Sequence, residues 1–182
     1  MSWSVLGTLT AVPALDRPDL LGDPVALALK GLDPADAALV GVAEIDPGLA
    51  DTAEFCAAYS SSLEASANCV VVAGRRGETT RYAACLVLAS TRADVNGLIR
   101  KRLDARKASF APMDDAVALS GMEYGGITAI GLPADWPVLV DAAVAAAPAV
   151  VIGSGVRHSK LALPGSLAAR LPGVEVIEGL GR

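Results

Sequence analysis

Apolar residues run along this chain in short bursts broken by glycine, proline and acidic clusters, and the spacing within each burst assigns the elements. Residues 4–12 alternate apolar side chains with threonine and predict an opening strand. Pro13, Asp16, Pro18 and the Gly22-Asp23-Pro24 cluster then predict a loop that ends at a helix start, since proline suits the first helical turn. A short helix over 25–30 is closed by Gly31, and a buried strand over 37–45 is ended by Pro47 and Gly48. Asp51 precedes Thr52-Ala53-Glu54 as a helix cap, with Phe55, Ala58 and Tyr59 following at helical spacing. Residues 68–73 and 79–89 read as two strands of a hairpin around a charged turn, Gly74-Arg75-Arg76-Gly77. Asp94 caps a helix through Leu103, 107–110 is a strand, and 112–119 is a helix. A glycine-rich loop over 121–133 leads to a strand at 138–140, a helix at 142–147, and a strand at 150–152 that opens onto Gly153-Ser154-Gly155. Residues 161–163, a helix over 164–171 and a last strand at 174–177 complete the order. Hairpins mixed with crossover helices predict a single α/β (α+β) domain built on a mixed sheet.

Composition narrows the class. In 182 residues, 53% hydrophobic with 18 glycines and 11 prolines, there is enough apolar material for one core and too much punctuation for a coiled coil or a disordered chain. Three cysteines at long spacings give neither a disulfide framework nor a metal knuckle, which fits a reducing cytoplasm. The apolar N-terminus lacks a basic leader and a cleavage signature, so no signal peptide is expected. The longest uncharged apolar stretch, 142–156, is fifteen residues broken by Pro148 and two glycines, short of the roughly 20 a spanning helix needs. Net charge is −5, but residues 1–64 carry ten acids against Arg17 and Lys30, while the remainder carries thirteen bases against ten acids. The basic part is suited to face a phosphate backbone.

Three segments could carry chemistry. In 120–133, four glycines permit close backbone approach to a ligand, although the same spacing also describes a plain irregular loop; it is not a dinucleotide fingerprint. In 150–160, a strand runs into a G-x-G turn followed by Arg157, His158 and Lys160, able to offer amides and a cation to an anionic group or simply to join two strands with the cations solvated. His158 is the only histidine, which disfavours a catalytic triad or a multi-histidine metal site. In 92–107, Arg92, Arg100, Lys101, Arg102, Arg106 and Lys107 outnumber Asp94 and Asp104, a cationic face that could touch RNA or be merely solvated.

Taken together, Gly125-Gly126-Ile127-Thr128 followed by Gly131-Leu132-Pro133, then Val138-Leu139-Val140-Asp141, then Gly153-Ser154-Gly155-Val156-Arg157 and Lys160, resemble the YbaK/EbsC-type aminoacyl-tRNA deacylases, relatives of the editing insertion of bacterial prolyl-tRNA synthetases. The resemblance implies a curved mixed sheet flanked by helices over residues 51–182, with 1–50 an N-terminal extension packed on that core. It implies a cytoplasmic enzyme that hydrolyses the ester of a mischarged tRNA in trans, with no metal and no cofactor, recognising the tRNA acceptor end and admitting an aminoacyl-tRNA synthetase as partner. By similarity, Gly125, Gly126, Ile127, Thr128 and Gly131 line the aminoacyl pocket, with Thr128 supplying a hydroxyl. Gly153, Ser154, Gly155 and His158 hold the terminal adenosine region, and Arg100, Lys101, Arg102, Arg106 and Lys107 meet the acceptor stem. Where the family carries a required lysine, this chain has Asn68, which offers a neutral amide donor in place of a charge. That exchange defines the second expectation, an aminoacyl-tRNA or aminoacyl-ligand binding module without turnover. Ala129 and Met122 also depart from the family's proline and aromatic. Cys69, beside Asn68, is expected in the core.

Overall fold

The computed structural model describes residues 2–182, and its strands divide between two sheets that enclose the main core. The first is antiparallel, in the order β1 (Val12–Pro13), β2 (Gly41–Glu44), β8 (Ser159–Leu163), β7 (Val150–Gly153). The second is mixed, in the order β5 (Lys107–Phe110), β3 (Ala67–Arg76), β4 (Thr79–Leu88), β6 (Val138–Asp141), β9 (Val174–Ile177). The β3–β4 hairpin keeps one register throughout, from Ala67 opposite Leu88 to Arg76 opposite Thr79, whereas β6 joins β4 and β9 in parallel. Seven α-helical segments fill the connections among the described residues: α1 (Asp23–Lys30), α2 (Pro34–Ala37), α3 (Thr52–Tyr59), α4 (Arg100–Arg102), α5 (Met113–Ser120), α6 (Ala142–Ala146) and α7 (Gly165–Ala168). None is long and apolar enough to cross a membrane.

Period-two alternation sorts the side chains. Val42, Leu161, Leu163, Val150 and Ile152 of the first sheet share one buried cluster with Ala67, Leu86, Val138 and Val140 of the second, closed by Val25 and Leu29 of α1 and Leu167 of α7. The residues between them in sequence face outward into smaller clusters. Ala43, Val151 and Ala162 pack with Leu6 and Phe55, and Val72, Ala83, Cys85 and Leu139 pack with Ile99, Leu103 and Leu180.

The mixed α/β domain matches the expected class, and the element order holds with local exceptions, among them the hairpin turn, since Gly74, Arg75 and Arg76 continue β3 and the chain reverses at Gly77-Glu78. Residues 4–12 do not form the opening strand. A 3-10 helix (Ser2–Leu6) takes that place, with Trp3 Nε1 donating to Leu39 O at 3.0 Å and Leu6 fully buried, so the apolar side chains are used on one helical face and only Val12–Pro13 pairs with β2. The strand read over 37–45 is likewise shorter, because Pro34 and the Asp33 side chain, accepting from Ala35 N, start α2 just before it. The Asp94 cap is present, but the segment it opens winds as a π-helix (Val95–Ile99) before α4.

The two sheets meet where β7 runs beside the start of β3. A single bridge joins Ser66 to Val151, and beyond it the two diverge. β5 pairs with β3 only over Val72 to Arg75, so between the bridge and β5 the backbone of residues 67–70 has no strand partner on that side.

Candidate active site

The divergence of β3 from β7 opens a pocket of about 500 Å³. One wall is β3 from Ala67 to Val71, and the opposite wall is β7 from Val151 to Gly153 with Lys160 of β8. The turn into α3 brings Ala50, Asp51, Thr52 and Phe55, and Gly125 and Ile127 come from the glycine-rich loop. Phe110, Met113 and Tyr124 also line it, and each is more than half exposed, which makes them the rim.

Two hydrogen-bonded arrangements hold its walls in place. On the β3 side, Thr52 Oγ1 donates to Asn68 Oδ1 at 2.8 Å, which fixes the amide of this pocket-lining residue and leaves its NH2 group without an acceptor among the described residues. On the other side, Arg157 staples three loops: its backbone N–H donates to Glu123 Oε2 at 2.6 Å, Nε to Pro47 O at 2.9 Å, and Nη1 to Asp51 Oδ1 at 3.2 Å. Asp51 therefore spends its carboxylate on Arg157 and makes no side-chain cap on α3. Gly125, at φ +80°, lies under that guanidinium; a Cβ there would stand 2.2 Å from Arg157 Nη1. Lys160, 8% exposed, donates from Nζ to Ala50 O at 2.7 Å and sits 5.7 Å from the centre of the Phe55 ring. Burial lowers its pKa to about 8, with Asp51 opposing the shift.

Residues 46–170 match the family described as the aminoacyl-tRNA editing domain. The chain belongs to that family. No curated protein sequence matches it at a significant level. Among solved structures, this editing domain is similar to a candidate trans-editing enzyme for prolyl tRNA synthetase, at 18% identity and a TM-score of 0.70 over 86% of this chain and 94% of that one. It is also similar to hypothetical protein APE2540, at 17% identity and a TM-score of 0.74 over 88% of this chain and all of that one. At such identities the likeness is one of fold.

Of the residues singled out from sequence, the editing-domain pocket gathers Asn68, Gly125, Ile127 and Gly153. Thr128 is not on its surface: the side chain is fully buried and Oγ1 has no hydrogen-bond partner among the described residues. Ser154 is also internal, its hydroxyl 2.6 Å from Ser159 Oγ and donating to Val156 O. Gly126 and Gly153 serve the packing of one loop on the other, since a Cβ on Gly153 would lie 2.4 Å from Gly126 O. Gly131 and Gly155 press against Pro24 and Gly22 at the start of α1, away from the pocket. His158 turns the same way, with Nε2 3.4 Å from Asp19 O.

The basic residues lie on the segment that feeds β5. Lys101, Arg106 and Lys107 are exposed, whereas Arg102 is paired with Glu175 at 2.6 Å and Arg100 Nε donates to Asn96 O. Cys69 packs on the main cluster, and desolvation pushes its thiol up to about 12, so it is held as the unreactive thiol. The sequence pattern offers Asp51 only as a helix cap, gives Thr52 and the rim residues Phe110 and Tyr124 no role, and presents Lys160 as a cation that is solvated or faces a phosphate or carboxylate. The local signal for its burial is its place at the head of the apolar run Leu161-Ala162-Leu163.

Proposed function

We propose that this editing domain is a trans-acting deacylase, which hydrolyses the ester linking a wrongly attached amino acid to the 3′-terminal adenosine of a tRNA. The observation that carries the reading is the pocket between β3 and β7, polar at Asn68 and Thr52, apolar at Phe55, Ile127 and Val151, and rimmed by exposed aromatics. An aminoacyl ester is already activated, so the site has to orient its carbonyl, place a water against it, and offer donors where negative charge develops. The Asn68 amide is one such donor, and the Cys69 N–H, which points away from β4 on the edge of β3 that β5 does not reach, is another. Phe110 and Tyr124 offer faces on which the terminal adenine can stack. From Phe110, β5 leads back to Lys107, about 10 Å away at strand rise, and to Arg106 just before it, where the acceptor-stem backbone can lie. Charged tRNA as substrate sets the work in the cytoplasm, beside the synthetases that make the errors.

Single-turnover deacylation with tRNAs bearing Ala, Cys, Ser or Pro tests this directly. Release from at least one of them is expected, slowed roughly 10²–10³-fold by Asn68→Ala, the range for loss of one oxyanion donor. Saturable tRNA binding with no release from any of the four would instead assign the domain to the binding-module class that Asn68 first suggested.

A further inference from the structure

All five residues of β8 are buried, and one of them is a lysine. Lys160 faces the side of the first sheet that carries Ala43, Val151, Ala162 and Phe55, an apolar setting in which an ammonium is costly to keep. Its cross-strand partner on the pocket side is Gly153, which has no side chain to cover it, and both residues line the pocket. Among the described residues lining that pocket, Lys160 carries the only positive charge. Nζ has three hydrogens and spends one on Ala50 O, so two remain without an acceptor among the described residues. The charged and titratable groups around it are few. Asp51, at the turn into α3, is ion-paired with Arg157 of the β7–β8 loop, and Cys56 of α3 offers only a thiol. A buried cation, anchored by one bond and open on the cavity side, is placed to meet an anion that the pocket's contents produce.

We propose that Lys160 is a catalytic residue of this pocket, its ammonium donating to the aminoacyl carbonyl oxygen and stabilising the negative charge that gathers there. The assignment rests on the deacylase reading above. Water oxygen bonds to the carbonyl carbon and the C=O electron pair moves onto the oxygen facing Nζ. When that pair returns, the bond from the carbonyl carbon to the ribose 3′ oxygen breaks, the proton lost by the water passes to the 3′ oxygen, and the acid product ionises to solvent. Lys160 keeps its proton throughout and acts with the Asn68 amide on the opposite wall.

Single-turnover deacylation by wild type, Lys160→Met and Lys160→Arg, with binding of a non-hydrolysable 3′-aminoacylamino-3′-deoxyadenosine measured in parallel, tests the assignment. Lys160→Met is expected to lose at least 10²-fold in rate while its affinity for the amide changes less than fivefold, with partial recovery in Lys160→Arg. Thermal denaturation checks that the variants are folded. Independently of any variant, the wild-type rate, corrected for spontaneous ester hydrolysis, should fall as pH is raised through about 8. An active wild type with Lys160→Met within threefold of it, or a rate that does not fall through that pH range, overturns the role of Lys160 and leaves the deacylase reading standing. A wild type that releases nothing from the panel overturns both.

Discussion

Asn68 and Thr128 are both small polar side chains in apolar surroundings, and folding gives them opposite settings. Asn68, at the start of β3, is exposed and oriented by Thr52, whereas Thr128 is sealed in the protein with an unpaired hydroxyl. An unsatisfied buried hydroxyl is unfavourable, and an apolar isostere removes the problem. Thr128→Val is therefore expected to raise unfolding free energy by about 1 kcal/mol and to leave deacylation unchanged; lost activity in a folded Thr128→Val protein would restore the catalytic role read from sequence. Gly153 behaves differently. Its Cβ would collide with Gly126 O at 2.4 Å, backbone against backbone, so Gly153→Ala should cost about 1–3 kcal/mol and lower the denaturation midpoint accordingly. Of the glycines that sequence singles out, Gly125 and Gly153 line the pocket while Gly131 and Gly155 pack against the start of α1, because a glycine admitting a ligand and a glycine admitting a neighbouring loop are written with the same letter.

Between Asp94 and Phe110 the chain makes one element out of a π-helix, α4 and β5, and this element links the basic residues to the pocket rim. The cationic character was plain in the sequence, but not its division of labour. Arg102 is tied to Glu175 and Arg100 to the backbone of its own helix, which leaves Lys101, Arg106 and Lys107 as the exposed charges. Arg106→Glu with Lys107→Glu should weaken tRNA binding and flatten its salt dependence, while binding of the aminoacyl-adenosine amide stays as in wild type. Arg102→Ala should have the smaller effect, and filter binding across a salt series separates the two cases. The hairpin, β6 and β7 were legible because alternation and turn residues act locally. The first segment was misread for the complementary reason: a run such as 4–12 satisfies strand alternation and a 3-10 face alike, and Trp3 docking beside Gly41 decides between them.

Charge burial couples the site to the stability of the whole domain. Lys160 titrates near 8 when folded against 10.5 when free, so between those values the unfolded chain holds more protons and stability rises with pH, by at most about 1.4 kcal/mol per unit. Cys69 and Cys85, whose thiols are held above their ordinary 9.0 by desolvation, act in the opposite sense above pH 9, where the unfolded chain loses protons that the fold retains. Urea denaturation should thus show a midpoint that rises from pH 7.5 to 9, and Lys160→Met should remove the rise. The amino-acid order already fixed the element types, the mixed α/β class, the family blocks and the two glycine loops, because these follow from periodicity, turn chemistry and spacing along the chain. Which residues share a cavity was decided by the packing of two sheets. Ser66 and Val151, 85 positions apart, form the bridge beyond which the pocket opens, and Lys160 reaches Ala50 across 110 positions. No local pattern encodes such distances; they arise when the apolar faces of both sheets close on one core and leave β3 and β7 to diverge at its edge.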